Sequence, residues 1–285
     1  MKTKNNKLIY IISIILLATI NTSCLNEKAI KKAIEEAIEE SKYDDFDDDD
    51  DFDDDDDDDD FNTTQKWGVR IKKSIYITDF TTIKNNSNID IIYTQGSPLK
   101  AVLYGYEKAI SFYDIYTSGN TLQITQNKHN IRHSPTLTLH ITSPQLSNVE
   151  INGTGDLDIK SPATFHKFTL TANGTGDVDI TDLTLKNNLV VVINGTSDVE
   201  FDKITCSNAE FTTNGTGDIQ VKHCNATDIK AITTGIGDIE LNVSCKTINA
   251  KIDGTGDITL SGRADKLTKR VSGVGSVIER GLSNN

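Results

Sequence analysis

The sequence predicts an all-β protein: a parallel β-solenoid of about 20-residue rungs, preceded by a short helix and a disordered acidic linker. Three observations carry this. A Gly-x-Gly corner recurs seven times at near-constant spacing. Each corner is followed by apolar–polar alternation, the period of a strand with one buried face. The 285 residues include 19 Gly but only four Pro, with Thr, Asn, Ile and Asp abundant, which favours strands joined by many turns.

From the N-terminus, residues 1–23 read as a signal peptide of lipoprotein type. Three Lys lie within the first seven residues, and an apolar run follows over 8–20, too short for the roughly 20 residues of a spanning helix. Asn21-Thr22-Ser23-Cys24 then resembles the lipobox of bacterial lipoproteins, with Asn21 in place of the usual Leu. That resemblance implies lipidation at Cys24 and hence an exported outer-membrane lipoprotein, facing the periplasm or the cell surface. Ordinary cleavage with Cys24 incidental is the alternative.

Residues 24–42 form the lipid-anchored helical stalk of this reading. Ala-Ile pairs recur every four residues at Ala29-Ile30, Ala33-Ile34 and Ala37-Ile38, with Lys and Glu between, so the Ile side chains share one stripe of a helix. Residues 43–61 are the linker. Positions 44–60 hold 15 Asp, broken only by Phe46 and Phe52, and such a run repels itself and stays extended. It also accounts for the formal charge of −13, because residues 62–285 carry 22 acidic and 22 basic side chains. A neutral head argues against nucleic-acid binding, which needs a basic face.

The head, 62–285, opens with β-patterned pieces over 67–150, such as Ile89-Asp90-Ile91-Ile92-Tyr93 and Leu137-Thr138-Leu139-His140-Ile141. These are expected to cover the first rung. The repeat follows. Its first glycines are Gly153, Gly174, Gly195, Gly215, Gly235, Gly254 and Gly273, at intervals of 21, 21, 20, 20, 19 and 19. After each corner comes a pattern such as Asp177-Val178-Asp179-Ile180, and a second apolar strand such as Leu189, Val191, Ile193 precedes the next corner. A 20-residue unit cannot bury its own apolar face, but stacked units can, with equivalent strands about 4.8 Å apart. Asn-Gly at the corners predicts positive φ there. The residue between the glycines is Thr154, Thr175, Thr196, Thr216 and Thr255, but Ile236 and Val274 in two copies, so this column is read as packing. The Asn-Gly-Thr sequon is explained by the turn. No third Gly or helix follows the corner, so the dinucleotide fingerprint is absent.

Several stretches together resemble the autotransporter-adhesin head family, also called the GIN domain, of exported Bacteroidetes proteins. They are Asp79-Phe80-Thr81-Thr82-Ile83, Gly119-Asn120-Thr121-Leu122-Gln123-Ile124, the lead-in Ile141-Thr142-Ser143-Pro144-Gln145-Leu146, and the Gly-x-Gly-Asp repeats. The resemblance spans about residues 67–280. It implies a right-handed parallel β-helix and an adhesin-like surface role, and it brings no catalytic residue set or cofactor.

The main candidate for chemistry is a carboxylate column: Asp156, Asp177, Asp198, Asp218, Asp238 and Asp257. Beside it run Asp158, Asp179, Glu200 and Glu240, interrupted by Gln220 and Thr259. Two unit charges 4.8 Å apart repel by about 0.9 kcal/mol in water and about 3.5 kcal/mol at an effective dielectric of 20, so something must relieve the column. One reading has each Asp accept N–H bonds within its own turn. The other places Ca²⁺ between rungs. A column with six equal members offers no distinct acid and base, which argues against an enzyme. His129 and His133 have metal-compatible spacing but no surrounding ligands, and His140, His166 and His223 read as scattered. Cys206, Cys224 and Cys245 read as small buried hydrophobes, or as one disulfide plus a thiol. The expectation is a surface-anchored, adhesin-like binding module of the bacterial envelope, held to the membrane by its lipid and taking a glycan or surface-protein ligand. An envelope scaffold without a ligand and a polysaccharide-acting enzyme are the alternatives.

Overall fold

The computed structural model describes residues 66–127 and 134–283. Cys24, the stalk, the acidic linker and both His129 and His133 lie outside them. The described chain holds twenty strands and one short helix. In chain order these are β1 (Arg70–Ser74), β2 (Thr82–Asn86), β3 (Ile89–Gln95), β4 (Lys100–Tyr106), α1 (Glu107–Ile110), β5 (Tyr113–Ser118), β6 (Thr121–Gln126) and β7 (Leu137–Ser143). The repeats supply β8 (Asn148–Ile151), β9 (Leu157–Ile159), β10 (Ala163–Phe165), β11 (Phe168–Ala172), β12 (Val178–Leu185), β13 (Asn188–Ile193) and β14 (Val199–Thr205). They continue through β15 (Asn208–Thr213), β16 (Ile219–Asn225), β17 (Asp228–Thr233), β18 (Ile239–Ile252), β19 (Ile258–Val271) and β20 (Val277–Ser283).

Each repeat contributes to three parallel walls. The first wall follows the Gly-x-Gly corner and runs β9, β12, β14, β16, β18, β19, β20. The second uses β10, the later halves of β12, β14 and β16, and the middle of β18 and β19. The third, before the next corner, runs β8, β11, β13, β15, β17, β18, β19. The register is strict: Asp158 pairs with Asp179, Asp179 with Glu200, and Glu200 with Gln220. Alternation then sends one side-chain set inward. Leu157, Val178, Val199, Ile219, Ile239 and Ile258 stack in one buried column, and Leu170, Val191, Phe211, Ala231 and Ala250 in another. Each large aliphatic buried in this way contributes on the order of 1.5–3 kcal/mol.

The N-terminal region is more regular than the sequence suggested. β2 pairs in parallel with β8, and β3 with β9, so residues 82–95 form a further rung beneath the first repeat. β6 and β7 pair in parallel with the other edges of β2 and β3 and make one more rung outside it. Spatial order therefore departs from chain order here. The chain builds one rung, leaves it through β4, α1 and β5, lays down the outer rung, and only then enters the repeats. The cover itself consists of antiparallel strands: β4 on β7, β1 on β4, and β5 on β6.

The corners correct a second expectation. None of the repeat glycines has positive φ; the positive-φ glycines are Gly68, Gly105, Gly119, Gly262 and Gly281. The repeat glycines are needed for close approach. A Cβ on Gly174 would lie 1.8 Å from the Gly153 carbonyl oxygen, and one on Gly176 would lie 2.1 Å from that of Gly155. Backbone stacks directly on backbone, and the ladder of hydrogen bonds runs through the turn. The Thr175 N–H donates to Gly153 O at 3.0 Å and the Thr196 N–H to Gly174 O at 3.0 Å.

Candidate functional site

The same corner carries the polar columns that the sequence singled out. The Asp column is a hydrogen-bonded ladder between rungs. The backbone N–H of Asp177 donates to Oδ1 of Asp156 at 2.8 Å, that of Asp198 to Asp177 at 2.9 Å and that of Asp218 to Asp198 at 2.8 Å. Asp238 donates to Asp218 and Asp257 to Asp238, each at 2.7 Å. Each carboxylate thus accepts from the next turn and not from its own, because stacked corners place the next rung's N–H directly over the side chain. Such charge-assisted bonds contribute on the order of 1.5–3 kcal/mol apiece, enough to offset repulsion between neighbours in water.

One member of this ladder was not apparent in the sequence. Asp90, in the rung beneath the repeats, accepts from the Asp156 N–H at 3.0 Å. At the other end Ser276 takes the Asp position, and its N–H donates to Asp257 at 2.6 Å. Asp90 lies outside the repeat, and only the Ile-Asp-Ile pattern pointed to it. Burial raises its pKa, and the Asp156 and Asp158 charges push the same way.

Beside the Asp ladder stands one of amides. Asn152 Nδ2 donates to Asn86 Oδ1 at 2.6 Å, Asn173 to Asn152 at 2.7 Å, Asn194 to Asn173 at 2.7 Å and Asn214 to Asn194 at 2.8 Å. Thr234 closes it through a 2.6 Å bond from its hydroxyl to Asn214. Between the ladders lies the Thr column, and here the packing expectation fails. Thr154, Thr175, Thr196, Thr216 and Thr255 are all exposed, as are Ile236 at 66% and Val274 at 84%. Both glycines press against the neighbouring rung, so the residue between them is turned to solvent.

On the first wall Asp158, Asp179 and Glu200 form the second acidic column. Partial burial raises the Asp179 pKa, and the charges of Asp158 and Glu200 add to the shift. The row is relieved at its C-terminal side by Lys222, which bonds Glu200 and Asp202, and at its start by Lys160, 3.3 Å from Asp158. Among the described residues no three His, Cys, Asp or Glu side chains converge as metal ligands. His140 packs against Tyr104, His166 contacts Asn187, and His223 lies 3.3 Å from the Asp202 carbonyl. The three cysteines are free, with Cys224 and Cys245 buried. Burial raises the thiol pKa of Cys206 and Cys245 to about 11, which keeps them protonated and unreactive at neutral pH.

A family model described as "Putative auto-transporter adhesin, head GIN domain" matches residues 79–264 and 210–285. Among solved structures, a "putative adhesin" of Bacteroides fragilis NCTC 9343 is 26% identical and superposes with a TM-score of 0.69, over 73% of this chain and 96% of that one. Another "putative adhesin", from Parabacteroides distasonis ATCC 8503, is 19% identical with a TM-score of 0.65, covering 74% of this chain and 97% of the other. A "putative lipid binding protein" from the same organism is 20% identical with a TM-score of 0.59, covering 75% and 97%. At these lower identities the likeness is one of fold. No curated protein matches the chain.

Proposed function

The chain belongs to the auto-transporter adhesin head, or GIN domain, family, and from that premise we propose that it is an adhesin-like binding module whose recognition surface is the Gly-x-Gly corner. The observation that carries the reading is the outward Thr column, flanked by Asn and Asp ladders through the rungs of Thr154, Thr175, Thr196 and Thr216. The amides of the Asn ladder are engaged with one another, and each Asp has one oxygen committed to backbone. The Asp side chains from Asp156 to Asp238 and the Thr side chains are exposed, which leaves the second Asp oxygen and the Thr hydroxyl for a ligand. They repeat at the strand spacing of about 4.8 Å on a rigid backbone, an array suited to a hydroxyl-rich periodic polymer such as a glycan. Repetition also favours binding over catalysis, since no member of the column has a privileged environment.

In the same reading Cys24 carries a lipid, the protein sits in the outer membrane, and the Asp-rich run spaces the head from the bilayer. What supports this is the signal-like N-terminus and the lipobox-like Ser23-Cys24. Ca²⁺ between rungs would have to use the free Asp oxygens. A melting temperature equal in EDTA and in millimolar Ca²⁺ would remove it from the account.

The decisive experiment is a glycan array probed with the intact chain and with a Thr175→Val, Thr196→Val, Thr216→Val variant. Exposed Thr→Val changes are close to neutral for stability. Binding that falls roughly ten-fold in the variant, about 1.4 kcal/mol, supports the corner as the recognition surface. Binding that is unchanged in the variant overturns that assignment, and absence of binding to any glycan overturns the ligand class.

A further inference from the structure

We propose that a cleft in the N-terminal cap docks the acidic–aromatic segment just upstream of the described residues, Asp56–Phe61. The cleft has a volume of about 330 Å³. Its floor is apolar and buried, from Leu103, Ile110 and Tyr113, and Lys73, Asp114 and Tyr116 stand at its rim. A cavity of about 150 Å³ already holds a benzene ring, so a phenyl group fits with room for the chain that carries it.

Position and charge select the occupant. Lys108 Nζ reaches the Lys66 carbonyl oxygen at 3.3 Å, so the chain enters the domain beside α1, whose Ile110 belongs to the cleft. Phe61 lies five residues before Lys66, a span of at most about 17 Å. Five consecutive Asp, 56–60, precede it. The strand next to the cleft, β1, bears Arg70, Lys72 and Lys73, and it pairs with β4 on one side only among the described residues. Lys72 lies 5.2 Å from the Tyr104 ring and Arg70 5.2 Å from that of Tyr106, on the face of β1 opposite Lys73 and Leu103, so cations flank the open edge of this strand on both faces. Asp114 is the one acidic group at the rim, and Asn127 donates to it at 3.0 Å. Phe61 therefore inserts between Leu103 and Tyr113, and Asp56–Asp60 follow the basic edge. A tether this short gives an effective concentration of the order of millimolar, so an individually weak contact is populated.

The test uses the full-length chain with zero-length carbodiimide cross-linking, read by mass spectrometry, and amide hydrogen exchange. The proposal expects intramolecular links from Asp56–Asp60 to Lys72 or Lys73. Their yield should fall roughly five-fold in about 0.5 M NaCl, where exposed charges are screened. Phe61→Ser should lower the yield as well, and should speed exchange at Ile75 and Ile115 about threefold while the repeat amides stay protected. Links spread equally over the distant Lys266 and Lys269, or links that join two molecules only, would overturn it. So would exchange at Ile75 and Ile115 that Phe61→Ser leaves unchanged.

Discussion

At the scale of single residues, the Asp ladder separates two roles of one side chain: acceptor and charge. Asp198 accepts the Asp218 N–H and sits between like charges. Asp198→Asn keeps an acceptor and removes a charge, so its melting temperature should equal or exceed that of the parent. Asp198→Ala removes the acceptor and should cost about 1–2 kcal/mol, measured by denaturant unfolding. Asp179 tests the charge alone. Its pKa is raised in the folded state by partial burial and by Asp158 and Glu200. A carboxylate with a raised folded pKa destabilises the fold where it is ionised, and the deficit disappears as pH falls through that pKa. Asp179→Asn should therefore melt higher than the parent at pH 7, with the gap closing as pH falls toward 4. Ser197 is a different case. It occupies a glycine position of the corner, is fully buried, and its hydroxyl has no hydrogen-bond partner among the described residues. Ser197→Ala keeps the Cβ and removes that hydroxyl, and should stabilise by about 1 kcal/mol in the same unfolding assay.

At the scale of the corner and the strand, glycine acts here through proximity. Gly217→Ala would place a Cβ 1.9 Å from the Ser197 carbonyl oxygen, and backbone would have to yield. A cost of about 3 kcal/mol or more in thermal or denaturant unfolding is expected. Gly119 is the control: it has φ +57°, and nothing lies within 4 Å of the place an added methyl would take. Gly119→Ala should cost only about 1–2 kcal/mol, through left-handed strain alone. This contrast explains which parts of the element were legible in the sequence. The period fixed which residues share a column, since stacking keeps equivalent positions in register. Alternation likewise fixed which strand residues point inward. Neither signal reports direction within a turn, so packing for the Thr column and positive φ for the glycines are expectations that the structure overturns. Asp90 and Asn86 join the ladders from a rung without Gly-x-Gly, and a repeat search cannot reach them.

For the whole solenoid, the rungs interact with their nearest neighbours, and stability should be close to a sum of rung and interface contributions. The N-terminal end departs from simple stacking, because β6 and β7 close the outer rung after the chain has already left β2 and β3. That arrangement follows from long-range pairing that local patterns do not encode. The repeats downstream, by contrast, are interchangeable in register, which makes a strong prediction. Deleting residues 215–234 joins Asn214 to Gly235 and regenerates an Asn-Gly-x-Gly-Asp corner. Gly235 would then stack on Gly195, Asp238 would donate its N–H to Asp198, and Ile239 would follow Val199 in the buried column. The shortened chain should fold with native-like circular dichroism and a smaller denaturant m-value, since less surface is exposed on unfolding. Deleting only residues 215–224 removes half a period. It carries the third-wall strand β17 into the first-wall position and breaks both ladders, so that chain should not fold. If the two deletions behaved alike, register between rungs would not be what holds the molecule together.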